Sequence, residues 1–213
     1  MIIYKNRPNL MIGFHGCDEN VRNELVNNPN KIKKSKETYD WLGNGFYVWE
    51  NNYKRALKWA EDKQKRDIRI TKPSVVGVVY QLEHCLDLTD SEFIDILCEY
   101  YELLKKKFQI IEKPLPENKD LPKDKDHDLI IRELDCAVFE FLHHNMEKQI
   151  NEDTRKKGYS DLKPFDTVRG VFTEGGPAYQ GAGIQTKNHI QVCIRNFNCI
   201  KGLFIPRKEI RFP

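Results

Sequence analysis

Runs of apolar residues predict strands near both ends of the chain. These runs are short, rich in β-branched and aromatic residues, and bounded by glycine, proline or asparagine, as strands are. They cover residues 10–14, 46–49, 74–82, 167–172, 189–194 and 202–206. The run at 74–82 is almost entirely apolar, which predicts a strand that is buried on both faces.

Helical spacing appears between these runs. Residues 20–27 are expected to form a short helix. After the strand at 46–49, Asn51 or Asn52 is expected to cap a second helix, since asparagine side chains accept hydrogen bonds from the first turn. Tyr53, Ala56, Leu57 and Ala60 follow at the three-to-four spacing of one helical face.

The middle of the chain is different in character. Residues 91–108 and 129–146 have apolar positions on one helical face, and the segment 112–128 between them carries three prolines and dense mixed charge. We expect a helical hairpin over 91–152, with a mobile loop at 112–128, inserted between the two β-rich ends. The whole chain, 1–213, is then one α+β domain.

Composition limits the class of protein. Apolar residues make up 39% and charged residues 31% of the 213 residues, which is typical of a soluble globular domain. The formal net charge of +3 does not by itself indicate nucleic-acid binding. No apolar run is long enough for a membrane span and no signal peptide is recognisable, so we expect a cytoplasmic protein. The six scattered cysteines favour reduced thiols over disulfides.

Three short motifs carry the candidate chemistry. His15 lies in Gly-Phe-His-Gly at the end of the first strand, Tyr47 ends Gly-Asn-Gly-Phe-Tyr at 43–47, and Gln191 lies in the strand His-Ile-Gln-Val at 189–192. Each motif alone has a structural interpretation: His15 as a buried structural histidine, and Tyr47 as a core aromatic beside Phe46. Adjacent His143 and His144 point about 100° apart on a helix, so they do not form a metal-chelating pair, and no metal is expected.

In this order the motifs resemble the ADP-ribosyltransferase superfamily, in its diphtheria-toxin and poly(ADP-ribose) polymerase branch. The resemblance covers residues 10–16, 41–63, 74–82 and 167–205, whereas residues 91–152 match nothing in that pattern. It implies a split antiparallel core of two small sheets, with flanking helices and an NAD⁺ cleft between the sheets. It also implies that NAD⁺ is the co-substrate and that nicotinamide is released.

The resemblance assigns roles to residues of this chain. Tyr47 would offer an aromatic face to the cationic nicotinamide ring. Gly16 would pair its backbone with the carboxamide, Gly45 belongs to the same NAD⁺-binding set, and His15 would hydrogen-bond a ribose hydroxyl. Gln191 stands where many members have a catalytic glutamate. Because an amide brings no negative charge, single transfer is expected rather than elongation of a polymer.

Four further positions remain open. Glu174 is the nearest carboxylate before the third motif and is a second candidate for the catalytic position. Arg169 is either an edge residue with its charge in solvent or a pyrophosphate contact. Tyr179 and Gln180, in the glycine-rich loop before the strand at 189–194, either face the acceptor or belong to an ordinary surface loop.

The function expected from these features is mono-ADP-ribosylation of a macromolecular acceptor, protein or nucleic acid. The small format agrees with a bacterial toxin or defence effector that has an antitoxin or immunity partner. Two alternatives stay open. One is another enzyme on the same fold, either an NAD⁺ hydrolase or an enzyme resembling RNA 2′-phosphotransferase. The other is a non-catalytic module that binds NAD⁺ or ADP-ribose.

Overall fold

The computed structural model describes residues 10–122 and 125–208. Within them the strands are β1 (Met11–Asp18), β2 (Phe46–Glu50), β3 (Pro73–Tyr80), β4 (Cys85–Asp87), β5 (Asn118–Lys119), β6 (Ile131–Arg132), β7 (Thr167–Phe172), β8 (His189–Ile194) and β9 (Ile200–Phe204). The helices are α1 (Glu19–Asn27), α2 (Tyr53–Gln64), α3 (Ser91–Ile110) and α4 (Glu133–Lys157). The expected α+β class is confirmed, and every strand predicted from the sequence overlaps an observed one.

Seven strands form one sheet in the order β4-β7-β8-β2-β1-β3-β9, while β5 and β6 form a separate short ladder. Neighbours in the large sheet are antiparallel except for β4 and β7, which are parallel. The order places β1, β2 and β8 side by side. These are the strands that carry the three sequence motifs, although β2 and β8 are about 140 positions apart along the chain.

The expected two small antiparallel sheets are instead joined into one mixed sheet. The join between the halves is narrow, because β1 pairs with β2 at only two positions, Gly13 with Glu50 and Phe14 with Trp49. In contrast, β1 pairs with β3 at eight positions. Beyond Phe14 the two central strands separate, so the sheet is continuous at one end of this seam and open at the other.

The two faces of the sheet are covered differently. One face has a single large apolar cluster that includes Val48, Val78 and Val192. The other face has two clusters: α3 and α4 cover β7 and β8 through residues such as Phe93 and Phe139, and α2 covers the β1–β2 seam through Ala56. The second face therefore has a boundary between α2 and the α3–α4 pair.

The predicted central helices are present, with different limits. Helix α4 begins four residues later than predicted and continues to Lys157, where Gly158 in the left-handed conformation (φ 83°) ends it. The segment 112–128 is anchored at its end, because the Gly175 N–H donates to Asp128 Oδ1 at 2.8 Å. Over residues 10–122 and 125–208, we find no helix with the length and apolar character that membrane crossing requires.

Candidate functional site

His15 lies where β1 separates from β2. Its Nδ1 is 2.8 Å from the backbone carbonyl oxygen of Tyr47, and its ring packs on Phe46 at 4.4 Å between centroids. Because a carbonyl only accepts, Nδ1 carries the proton and Nε2 is left as an acceptor. Burial lowers the pKa of His15 to about 4, against the opposing effect of the Tyr47 bond. The imidazole is therefore neutral at pH 7 and links the two motif strands across the opening. Because His15 is paired with Val76 and packs on Phe46, its ring lies on the face opposite to the Tyr47 ring.

Tyr47 has its hydroxyl fully engaged inside the protein. The hydroxyl donates to the Gly43 carbonyl at 2.7 Å and accepts from the Leu42 N–H at 3.0 Å. Burial raises its pKa well above the usual range, so the phenol stays neutral. The half-buried ring packs against the cluster beneath α3 and α4. These contacts are those of a structural tyrosine, and the ring, rather than the hydroxyl, is what remains to contact a ligand.

Gln191 lies in β8 directly opposite Trp49 of β2. Its Oε1 accepts a hydrogen bond from the Trp41 indole N–H at 2.8 Å, and the residue is 8% exposed. Directly paired residues and residues two apart share one face of a sheet, so Gln191, Trp49 and Tyr47 lie on the same face. The structure thus brings the second and third motifs together on the face that α2 and α4 cover.

Glu174 follows β7 and approaches this face from the loop. Its carboxylate forms an ion pair with Arg55 of α2, and its backbone carbonyl accepts from the Lys187 N–H at 2.9 Å. The residue is 3% exposed, and burial raises the pKa of its carboxyl while Arg55 lowers it. The only carboxylate among the expected site residues is therefore already paired with a cation.

His189 belongs to the same group, although the sequence analysis did not select it. It lies two residues before Gln191 in β8, and its ring stacks on Phe172 with a centroid distance of 5.1 Å. Nδ1 is 2.6 Å from the Lys187 carbonyl oxygen, so Nε2 is an acceptor. Burial lowers the pKa of His189 to about 4. The signal in the sequence is its spacing: residues two apart in a strand lie on the same face, so His189 shares a face with Gln191.

Three buried polar atoms at this boundary have no hydrogen-bond partner within the described part of the chain. They are the acceptor Nε2 of His189 and the donors Trp49 Nε1 and Arg55 Nε. The rings of Trp49 and His189 are 6.2 Å apart, and the charge of Arg55 acts on His189. Buried polar groups in proteins are nearly always hydrogen-bonded, so this concentration of unpaired groups marks the boundary as polar and unsatisfied.

The helical insertion contributes a cation to the same neighbourhood. Arg132, at the start of α4, lies over the ring of Phe172 at 4.1 Å and over that of Trp41 at 5.1 Å. Trp41 in turn holds Gln191. Residues from the loop before β2, from the insertion and from β7 therefore form one aromatic and cationic layer, which contacts Gln191 of β8 through Trp41.

Arg169 is not brought together with Tyr47, Gln191 and Glu174. In β7 it is opposite Val192, whereas its neighbour Gly170 is opposite Gln191, so Arg169 lies on the other face of the sheet. There it bonds Glu50 at 2.7 and 2.9 Å and Asp87 at 3.2 Å. It is neither an edge residue nor near the polar boundary, and this placement gives no support to a pyrophosphate contact.

Gly16 and Gly45 are both explained by close backbone packing. A Cβ at Gly16 would collide with the Ala56 carbonyl of α2, and one at Gly45 would collide with Cys193 Sγ in β8. At Gly16, where the resemblance implies a contact with the NAD⁺ carboxamide, helix α2 packs directly against the strand. Both glycines are buried.

The glycine-rich loop 174–188 folds back on itself. The Ala178 N–H donates to the Ile184 carbonyl at 2.9 Å, and Pro177 pairs with Gln185 as in a short antiparallel bridge. Tyr179 lies at the exposed tip with 65% of its surface accessible, and Gln180 is exposed beside it. Both therefore face solvent.

Neither a metal site nor a known relative identifies the function. Across residues 10–122 and 125–208, no three or more histidine, cysteine, aspartate or glutamate side chains form a group suited to a metal ion. Comparison of the chain with protein-family models, curated proteins and solved structures finds no significant match.

Proposed function

We propose that this chain is an ADP-ribosyltransferase that cleaves NAD⁺ and transfers a single ADP-ribose to a macromolecular acceptor. The observation that carries the proposal is the hydrogen bond between His15 and the Tyr47 carbonyl at the point where β1 and β2 separate. Gln191, on the next strand, lies on the same face as Tyr47. The three motifs recognised separately in the sequence therefore meet at one seam of the sheet, with the Tyr47 and Gln191 side chains on the face that α2 and α4 cover and the His15 ring on the opposite face.

The neutral histidines and aromatic rings of the site suit the cationic nicotinamide of NAD⁺. Nicotinamide in NAD⁺ is a flat cation, and it is attracted to an aromatic face such as that of Tyr47. Its carboxamide is both a donor and an acceptor, which matches the unpaired His189 Nε2 and Trp49 Nε1. Protonated histidines at His15 and His189 would repel the cationic ring, and burial keeps both neutral at pH 7.

The expected chemistry follows from the group at Gln191. Its carbonyl has two lone pairs and uses one for Trp41, so the second can accept from a ribose hydroxyl. Breaking the bond to nicotinamide builds positive charge on the ribose, and an amide stabilises that charge less than a carboxylate does. Catalysis would then depend mainly on holding the nicotinamide and ribose in the reactive geometry.

A non-catalytic NAD⁺ or ADP-ribose module is the second candidate. It is favoured by the pairing of both candidate catalytic groups: Gln191 with Trp41 and Glu174 with Arg55. Binding would then occur without cleavage. An NAD⁺ hydrolase and an enzyme resembling RNA 2′-phosphotransferase share the proposed core and differ in their products.

The test is release of nicotinamide from NAD⁺, followed by chromatography. We expect turnover by the native chain and a loss of about 100-fold in His15→Ala and in Tyr47→Ala, since both changes disturb the placement of the reacting groups. His144→Ala and Tyr159→Ala are matched controls, because both residues are exposed and lie outside the site. They should keep the native rate.

Other results would change the assignment. Equal rates in the native chain and all four variants would exclude this site. Heat of NAD⁺ binding without nicotinamide release would establish the non-catalytic module. Mass spectrometry of the products distinguishes free ADP-ribose, which indicates a hydrolase, from ADP-ribose attached to a protein or nucleic acid.

A further inference from the structure

Glu140 of α4 holds the loop that precedes Tyr47. Its Oε1 accepts from the Asn44 backbone N–H at 2.8 Å, and its Oε2 accepts from the Asn44 side-chain amide at 2.7 Å. Arg195 donates to Glu140 Oε1 at 2.5 Å and to the Asn44 carbonyl at 3.0 Å. Asn44, the middle residue of Gly-Asn-Gly, is therefore bound through its backbone N–H, its backbone carbonyl and its side-chain amide.

Fixing Asn44 also fixes the neighbouring residue Gly43, to which Tyr47 is hydrogen-bonded. The Tyr47 hydroxyl donates to the Gly43 carbonyl at 2.7 Å, and Cys193 Sγ bonds the same oxygen at 3.4 Å. Gly43 is in the left-handed conformation, with φ 78°, and a Cβ there would meet the Glu140 carboxylate. The carboxylate thus occupies the space beside Gly43, and moving it would shift the peptide to which the Tyr47 hydroxyl is bonded.

The chemistry of this contact requires a carboxylate. The groups that face Glu140 are three donors: two N–H groups of Asn44 and the guanidinium of Arg195. An ionised carboxylate only accepts, so it satisfies all three. A glutamine of the same shape would lose the charge that pairs with Arg195, and its NH₂ could face Asn44 only if the Asn44 side-chain amide turned over. Glu140→Gln is therefore a change of chemistry with almost no change of volume.

From this geometry we infer that Glu140 is a positioning residue for the site, and that the inserted helix α4 sets the placement of Tyr47. The inference rests on the proposed function. It gives the segment 91–152 a role that its lack of resemblance to the motif pattern left open. Both helices cover the same face of the sheet, and α4 supports the proposed NAD⁺ site from the side of the boundary that α2 does not cover.

The experiment measures kcat and KM for NAD⁺ in Glu140→Gln and in Glu133→Gln. Glu133 is the matched control, because it lies on the same helix and bonds Thr38 of the loop before β2 without contacting Asn44. We expect Glu140→Gln to lower kcat/KM by about tenfold. The control should stay within about twofold of the native value, since an exposed hydrogen bond contributes little.

Combination with Tyr47→Phe separates positioning from a general structural effect. This variant keeps the ring and removes the hydroxyl, so it cuts the link between Tyr47 and Gly43. If Glu140 acts through Tyr47, adding Glu140→Gln to Tyr47→Phe should lower kcat/KM by less than twofold more, a non-additivity expected of coupled residues. A full further tenfold loss in the double variant would overturn the inference.

Two more outcomes decide between the claims. A native chain that cleaves NAD⁺, with Glu140→Gln indistinguishable from it, would refute the positioning role and leave the proposed function intact. A native chain that neither binds nor cleaves NAD⁺ would refute the proposed function and this inference with it. Thermal unfolding of each variant shows whether a lowered kcat/KM reflects loss of folded protein.

Discussion

The two faces of the central sheet show how one set of strands serves two purposes. On the face with Val48 and Val192, the apolar side chains form one continuous cluster, and the charged Arg169 is enclosed by Glu50 and Asp87. On the other face the cover is divided between α2 and the α3–α4 pair, and His189 and Gln191 lie at the boundary. Within the described residues, the first face leaves the Tyr80 hydroxyl unpaired, whereas the second leaves three unpaired polar atoms together at the boundary, on Trp49, Arg55 and His189.

This difference arises from single-residue alternation. Side chains of neighbouring residues in a strand point to opposite faces of the sheet. In β7 and β8, Gly170 is paired with Gln191 on one face, and the next pair, Arg169 with Val192, lies on the other face. Arg169 therefore stabilises the closed face, whereas Gln191, only one pair further along, lies on the face of the candidate site. Proximity in the sequence to a motif residue does not place a side chain in the site.

The largest expected effect comes from breaking the ion group on the closed face. Arg169→Met removes the cation that pairs with the buried Asp87 and the half-buried Glu50. We expect a loss of about 3–5 kcal/mol in the free energy of unfolding, the usual cost of removing one partner of a buried ion pair. Urea denaturation measures it, with Arg66→Met at an exposed arginine as the control. Equal stability of both variants would show that the two faces do not differ as described.

A smaller effect is expected where α2 closes on the seam. Gly16→Ala places a methyl group against the Ala56 carbonyl, and relieving such overpacking costs about 1–3 kcal/mol. Gly202→Ala in β9 is the matched control, because no described atom lies within 4 Å of its Cβ position. The control should be neutral or slightly stabilising in thermal unfolding. A stabilised Gly16→Ala would contradict the close contact between α2 and β1.

The smallest effect concerns pH at the open face. The folded-state pKa of His189 is about 4, below its ordinary value of 6.5, because burial disfavours the charged ring. The unfolded chain therefore binds the proton first as the pH falls, and stability present above pH 6.5 is lost between about 6.5 and 4. From pH 7 to 5 this single residue should account for about 1–2 kcal/mol.

His189→Phe removes that contribution. We expect its unfolding free energy to fall less between pH 7 and pH 5 than that of the native chain, because the variant has no imidazole at this position to bind a proton in the unfolded state. Identical slopes for native chain and His189→Phe would mean that His189 is protonated equally in the folded and unfolded states.

Local chemistry made much of the fold predictable. The Asn52 side chain accepts from the Arg55 N–H at the start of α2, as its position before an apolar helical face predicts. The short apolar, β-branched runs correctly predicted strands in both β-rich parts of the chain. Membership of one face follows from alternation once the pairing is known, and by this rule His189 belongs with Gln191.

Long-range contacts were outside the reach of the sequence. Nothing local to β1 indicates that its pairing with β2 stops after Phe14, because register and strand separation depend on what packs above the seam. The contact between Glu140 and Asn44 joins residues 96 positions apart. The enclosure of Arg169 by Glu50 and Asp87 likewise depends on three separate strands meeting.

The central claim concerns where NAD⁺ binds, and a structure of the chain with bound non-hydrolysable NAD⁺ analogue tests it most directly. We expect the nicotinamide ring at the boundary between α2 and β8, facing Tyr47, with its carboxamide near His189. The dinucleotide should pass through the opening beyond Phe14, so that a ribose reaches His15 on the opposite face. A nicotinamide ring bound against Arg169, or an analogue that contacts none of Tyr47, His15 and Gln191, would contradict this prediction.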